Sequence, residues 1–140
     1  MKKTAGPGSM VTRILMQAYS ACPLGPEEEL LITNQPLVVF CTCPDLATAE
    51  SIAETLVNEQ LAACVNLLPG LRSVYRWQGA VEQADEVLLL VKTTRARYPA
   101  LEARLPALHP YELPELVAVE SAGGLPAYLQ WVATETRPLD

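Results

Sequence analysis

The chain has 140 residues, half of them apolar, and a formal net charge of −6. That length favours one domain with its own core, and the charge has the wrong sign for nucleic acid, whose phosphates need clustered positive charge. No stretch reaches the roughly 20 apolar residues of a membrane span.

The first residues, Met1 to Ala5, begin like the charged head of an export signal. Gly, Pro and Ser follow at once, and Arg13 interrupts the next apolar run, so export is not expected. Four cysteines occur, Cys22, Cys41, Cys43 and Cys64, none in a C-x-x-C pair with zinc spacing. The count is low and the core needs no staples, which points to free thiols in a reducing cytoplasm. Residues 1–35 read as an extension of loop or variable structure, with a short helical turn near Val11 to Tyr19. The folded domain is expected over 36–140.

From Pro36 the pattern sharpens. Leu37 to Cys43 is a short apolar run closed by Pro44, which reads as a buried strand. Asp45 is a good N-cap for the helix that follows. Its apolar positions, Leu46, Ala49, Ile52, Ala53, Leu56 and Val57, make one face, while Glu50, Glu54 and Asn58 fall on the wet side. Residues 61–79 read as a second strand, bent at Pro69-Gly70 and ending in a turn at Gln78-Gly79. Tyr75 and Trp77 share one side of it, opposite Val74.

Ala80 to Thr94 returns as a third strand. Five apolar residues in succession, Val87 to Val91, mean that both faces are to be covered. The second helix starts near Pro99, which suits a first turn, and presents Leu101, Leu105 and Leu108. Pro106 is expected to kink or loosen its last turn. A fourth strand lies near Glu115 to Ser121. A short terminal helix is expected to turn Leu125, Tyr128, Leu129 and Val132 inward.

The order strand, helix, strand, strand, helix, strand is the α+β, ferredoxin-like βαββαβ sandwich, here with a short C-terminal helix. Both main helices of that fold lie on one face of the sheet. A second subunit is the simplest cover for the other face, so an oligomer is expected.

Six ordered blocks carry a resemblance. They are TCPD at 42–45, LAACVN at 61–66, SVYRWQG at 73–79, EVLLLVKT at 86–93, HPYELPE at 109–115 and YLQW at 128–131. Together, from Pro36 to about Ala133, they resemble the CutA family of divalent-cation tolerance proteins. The resemblance implies a tightly packed homotrimer with architecture similar to the PII signalling proteins. It also implies a role in tolerance of divalent metals such as copper, with copper binding attributed to the family.

His109 is the only histidine, and a neutral imidazole is a good ligand for copper or zinc. Cys64 and Glu112 are its candidate co-ligands for copper or another divalent cation, and Glu115 is close by. In an extended, proline-bounded segment His109 and Glu112 do not face the same way by simple alternation. The competing reading is structural: His109 ends the second helix and caps its carbonyls, and Pro110 biases it to an extended backbone. Cys41 and Cys43 share a strand face, where paired thiolates suit Cu(I) or two small hydrophobes fill a core. Cys64 is expected to be buried.

Tyr75, Trp77, Glu82, Lys92, Tyr111, Tyr128 and Trp131 form a second set, expected to line an intersubunit cleft. There they would bind a small anionic ligand or a protein partner, or else act as packing and interface aromatics. Lys92 directly follows the apolar strand, where an unpaired buried charge is costly. Catalysis is not expected. Cys64 with His109 is the one Cys–His choice on these blocks, nothing orients it, and no G-x-S-x-G, Walker or dinucleotide motif is present.

Overall fold

A computed structural model describes residues 23–138. The turn expected near Val11 to Tyr19, and Cys22, lie outside them. The elements are α1 (Pro26–Thr33), β1 (Pro36–Cys43), α2 (Leu46–Asn58), β2 (Cys64–Trp77), β3 (Ala80–Thr94), α3 (Tyr98–Leu108), β4 (Leu116–Glu120) and α4 (Pro126–Glu135). The four strands form one sheet in the order β2-β3-β1-β4, with every pair antiparallel. From β1 onward this is the expected ferredoxin-like topology.

α1 falls where loop was expected. Pro26 enters in its first turn and Glu27, Glu28 and Glu29 occupy the positive end of the helix dipole. It contributes no buried residue, so no apolar periodicity announced it.

β1 sits in the middle of the sheet, and alternation decides what it does. Leu37, Val39, Cys41 and Cys43 point to the helix side, where they meet Val87, Leu89 and Val91 of β3. Ala49, Ile52, Ala53 and Leu56 of α2 and Leu101 and Leu105 of α3 complete this core. Leu46 and Val57 were expected in the α2 stripe but are 44% and 41% exposed; they lie in the first turn and at the margin of the stripe. α3 stays helical through Pro106 to Leu108, and the His109 N–H closes its last turn on the Leu105 carbonyl at 3.1 Å.

The β2–β3 hairpin closes on Gln78 and Gly79, both at positive φ, +48° and +80°. That pair is the signature of a type I′ turn, whose twist matches the strands. The expected bend at Pro69-Gly70 is a bulge: the register passes from Leu68↔Leu88 to Leu71↔Glu86, with Gly70 at φ +87°. Pro69 brings no N–H to the ladder there.

The other sheet face is only partly covered. Phe40, Leu88 and Leu90 are half-buried, and Leu68, Val117 and Val119 are exposed. Val87 to Val91 therefore alternate within one chain, buried toward the helices and half-open behind. α4 buries Val132 but leaves Leu125 72% exposed and Tyr128 39% exposed. The inward set predicted for α4 is thus corrected: Leu125 is the N-cap residue, ahead of the first helical turn. No helix among the described residues is long and apolar enough to cross a membrane.

Candidate metal centre

β1 delivers two thiols to one place because its side chains alternate: Cys41 and Cys43 both face the core, and both are essentially inaccessible. The strand ends there. Pro44 follows, and Asp45 caps α2 by accepting the Thr48 N–H at 2.8 Å, a bond that holds the Asp45 carboxyl below its ordinary value. From the far side of the core, α3 ends at His109, whose backbone is extended (φ −95°, ψ 137°), as Pro110 requires. The imidazole is thereby turned toward the end of β1.

Cys41, Cys43 and His109 offer ligand atoms that all lie within 4.8 Å of one another, and all three residues are buried. His109 Nε2 is 3.8 Å from Cys43 Sγ. It also donates to the Thr42 carbonyl at 2.8 Å, while Nδ1 accepts the Tyr111 N–H at 3.1 Å. The imidazole and the Tyr111 ring pack with centroids 4.7 Å apart. The Tyr111 hydroxyl reaches Glu86 Oε2 at 3.1 Å. Burial, and then the Glu86 carboxylate, push the Tyr111 phenol well above its usual range.

The thiols titrate as a pair in which Cys43 ionises first. Hydrogen bonding with Cys41 lowers Cys43 and raises Cys41, the His109 contact lowers Cys43 further, and burial opposes its ionisation. Two soft sulfurs beside an imidazole form a donor set for copper or another thiophilic ion. A shallow groove of about 470 Å³, lined by Ala47, Thr48, Ser51, Leu108, His109 and Pro110, opens beside it. The imidazole thus stands between that groove and the sulfurs.

The predicted ligands are redistributed. His109 ends α3 and caps the Leu105 carbonyl, as expected, but through its backbone N–H; its imidazole bonds to β1 instead. Glu112 is exposed, as the alternation argument required, and is not in the cluster. Cys64 is half-buried rather than buried, on the opposite sheet face, paired in register with Lys92. Lys92 Nζ donates to Cys64 Sγ at 3.8 Å, to the Leu90 carbonyl at 3.3 Å and to Asn66 Oδ1.

The second predicted set also divides. Lys92 and Tyr128 gather near Cys64, and the Tyr128 phenol is raised by burial and then by Cys64. Tyr128 packs on Trp131 at 5.7 Å. Tyr75 lies opposite Glu82 in the hairpin, and Trp77 opposite Ala80. Desolvation and then Glu82 raise the Tyr75 phenol. Glu86, close to Tyr111, is six residues from Lys92 along β3, roughly 20 Å of extended strand. One chain does not join the two groups into an anion pocket, and the Tyr75–Tyr111 end is acidic.

Thr42 and Glu86 went unmarked in the sequence. Both are buried, and Thr42 Oγ1 and Glu86 Oε1 have no hydrogen-bond partner among the described residues. A carboxylate directly before the apolar run Val87 to Val91, within β3, was the available signal for Glu86. Its bond to Tyr111, 25 residues away, left no local trace.

Comparison with known proteins agrees with this architecture. The family model described as CutA1 divalent ion tolerance protein matches residues 37–135. The divalent-cation tolerance protein CutA of Thermus thermophilus is 52% identical over 99 residues, 71% of this chain and 96% of that protein. Mouse protein CutA is 44% identical over 93 residues, 66% of this chain and 52% of that longer protein. A crystal structure of CutA from Xylella fastidiosa superposes with a TM-score of 0.72 at 51% identity, covering 74% of this chain and 99% of the other. With the family model spanning every element of the sheet and such identity over whole bacterial relatives, this chain belongs to the CutA1 divalent ion tolerance family.

Proposed function

We propose that this chain is a homotrimeric binding protein, not a catalyst, that takes up copper or another metal ion at the Cys41–Cys43–His109 cluster in a reducing cytoplasm. One observation carries the reading: two thiols and an imidazole from distant parts of the sequence converge within 4.8 Å. Soft sulfur donors favour copper over hard ions such as magnesium or calcium, and free thiols persist where the compartment is reducing. The name of the Thermus relative, a divalent-cation tolerance protein, is in keeping with it. Self-association is supported by the half-open apolar sheet face, with Leu68, Val117 and Val119 at 50%, 52% and 44% exposure.

Metal titrations of the reduced protein with Cu(I), Cu(II) and Zn(II) test the binding. The expected result is saturable copper uptake that is lost in the Cys41→Ser/Cys43→Ser double variant. Undiminished uptake in that variant, or none in the unaltered protein, would remove the cluster from consideration. Light scattering in the same buffer tests the assembly, with three chains expected.

A further inference from the structure

Lys92 is a half-buried cation on the open sheet face, and none of the ion pairs among the described residues includes it. Its ammonium instead donates to Asn66 Oδ1, to the Leu90 carbonyl at 3.3 Å and to Cys64 Sγ at 3.8 Å. Of those three acceptors only the sulfur can take up a negative charge. Register explains the meeting. Cys64 and Lys92 are directly opposed on β2 and β3, so their side chains leave the same face of the sheet. The Asn66 and Leu90 oxygens then hold the end of a lysine stem that is otherwise rich in rotamers, and they hold it against the sulfur.

Access also sets Cys64 apart. Cys41 and Cys43 are 1% and 0% exposed in the helix-side core, whereas Cys64 is half-buried on the other side of the sheet. Tyr128 of α4 stands beside it, its phenol raised by burial and then by the sulfur, and Tyr128 itself keeps 39% exposure. Thiol oxidation follows exposure and passes through a sulfenic acid, which condenses with a neighbouring thiol or nitrogen. Among the described residues no second thiol lies on this face. The nucleophile in contact with Cys64 is the Lys92 nitrogen.

We propose that Cys64 and Lys92 form a peroxide-responsive modification site, in which Lys92 captures oxidised Cys64 as a cross-strand sulfenamide. The Cys64 sulfur attacks one oxygen of hydrogen peroxide. The O–O bond breaks, the sulfur is oxidised to the sulfenic acid, and the peroxide is reduced, its second oxygen leaving as water. The Lys92 amine, having given one proton to solvent, attacks the sulfenic sulfur with its lone pair. An S–N bond forms, the S–O bond breaks, and the hydroxyl leaves as water with a second amine proton. Two small thiols reverse the link: the S–N bond is reduced to thiol and amine while they join as a disulfide. Capture keeps Cys64 from the irreversible sulfinic step and removes the positive charge of Lys92 from an apolar face. Cys41, Cys43 and His109 take no part, so the site stands apart from the metal cluster.

Mass spectrometry with fragment sequencing reads the result on the metal-free full chain, treated with stoichiometric hydrogen peroxide and alkylated before digestion. The expected product joins the peptides that carry Cys64 and Lys92 and is lighter than their sum by two hydrogens. It resists tryptic cleavage after Lys92 and disappears on adding dithiothreitol. Lys92→Arg keeps the positive charge but replaces the amine by a guanidinium that does not give up its proton, and Lys92→Met removes both. In each variant the joined peptides should be lost and Cys64 sulfinic acid should accumulate. Cys64→Ser should abolish the joined product and leave Lys92 open to trypsin. Cys64 sulfinic acid with a free Lys92 in the unaltered protein overturns the proposal. So does oxidation confined to Cys41 and Cys43, or a joined pair that carries an additional oxygen. Equal amounts of sulfinic acid in the unaltered protein and in folded Lys92→Arg overturn the capture by lysine.

Discussion

The Nε2–H of His109 and the carbonyl of Thr42 meet at 2.8 Å within the buried interior, 67 residues apart in sequence. That bond ties the end of α3 to the end of β1. His109→Ala would strand the carbonyl and open a gap behind Cys43. The metal-free variant is expected to lose about 1–3 kcal/mol, the range for a buried polar group left unpaired. Urea unfolding reads this as a lower midpoint at unchanged slope. Stability equal to the unaltered protein would show that the imidazole has no structural share.

Ile52 and Leu46 lie on the same helix and were assigned to the same apolar face, yet only Ile52 is buried, at 2% exposure against 44%. Ile52→Ala should cost about 2–5 kcal/mol, combining lost burial with a cavity. Leu46→Ala should stay within about 0.5 kcal/mol. Similar losses at the two positions would mean that the margin of α2 is covered by something outside the chain.

The contrast between those residues marks what the sequence could convey. Periodicity put Ile52, Leu101 and Leu105 in the core correctly, because a stripe is a property of neighbouring residues. It overreached at Leu46, Val57 and Leu125, because helix margins are set by how far the sheet beneath extends. Asp45, Pro99, Pro110 and the Gln78-Gly79 turn were legible for local reasons of capping and backbone freedom. The candidate site was legible only in parts: the shared face of Cys41 and Cys43 follows from alternation, and the lone histidine drew notice. Their convergence is a tertiary fact. The parallel suggestion of Cys64 failed to meet His109 because Cys64 begins β2 on the opposite sheet face, beside Lys92. The hydrogen bonds that hold His109 come from a backbone amide and a backbone carbonyl, which no residue identity announces.

Alkaline pH should weaken the fold. Burial, then the charge and hydrogen bonding of Glu102, push the Tyr98 phenol up to about 12 from an ordinary 10.0. Tyr111 is displaced in the same direction. A raised folded-state value means that the native protein holds the phenolic proton more tightly than the unfolded chain. The resulting stability is complete below pH 10 and is lost as pH rises toward 12. Thermal unfolding followed across that window should show a falling midpoint, and Tyr98→Phe should flatten part of the decline. A midpoint that stays level above pH 10 would contradict the assignment.

Val117 provides the sharpest test of what covers the open sheet face. It pairs with Phe40, which in turn pairs with Leu90, so the three side chains form one apolar row across β4, β1 and β3. In an isolated chain Val117 is 52% exposed, and Val117→Lys on this edge strand would be tolerated, since lysine is common on exposed edges. In an assembly that buries the row, the same lysine would bring an unpaired ammonium into an apolar contact, which is strongly unfavourable. Light scattering is therefore expected to show the trimer mass replaced by a smaller species, with far-ultraviolet circular dichroism unchanged. A trimer that survives the substitution would mean that this row faces solvent and that assembly uses another surface. Dissociation without loss of secondary structure would make the row the seam between copies, because the change leaves the protomer's own core untouched.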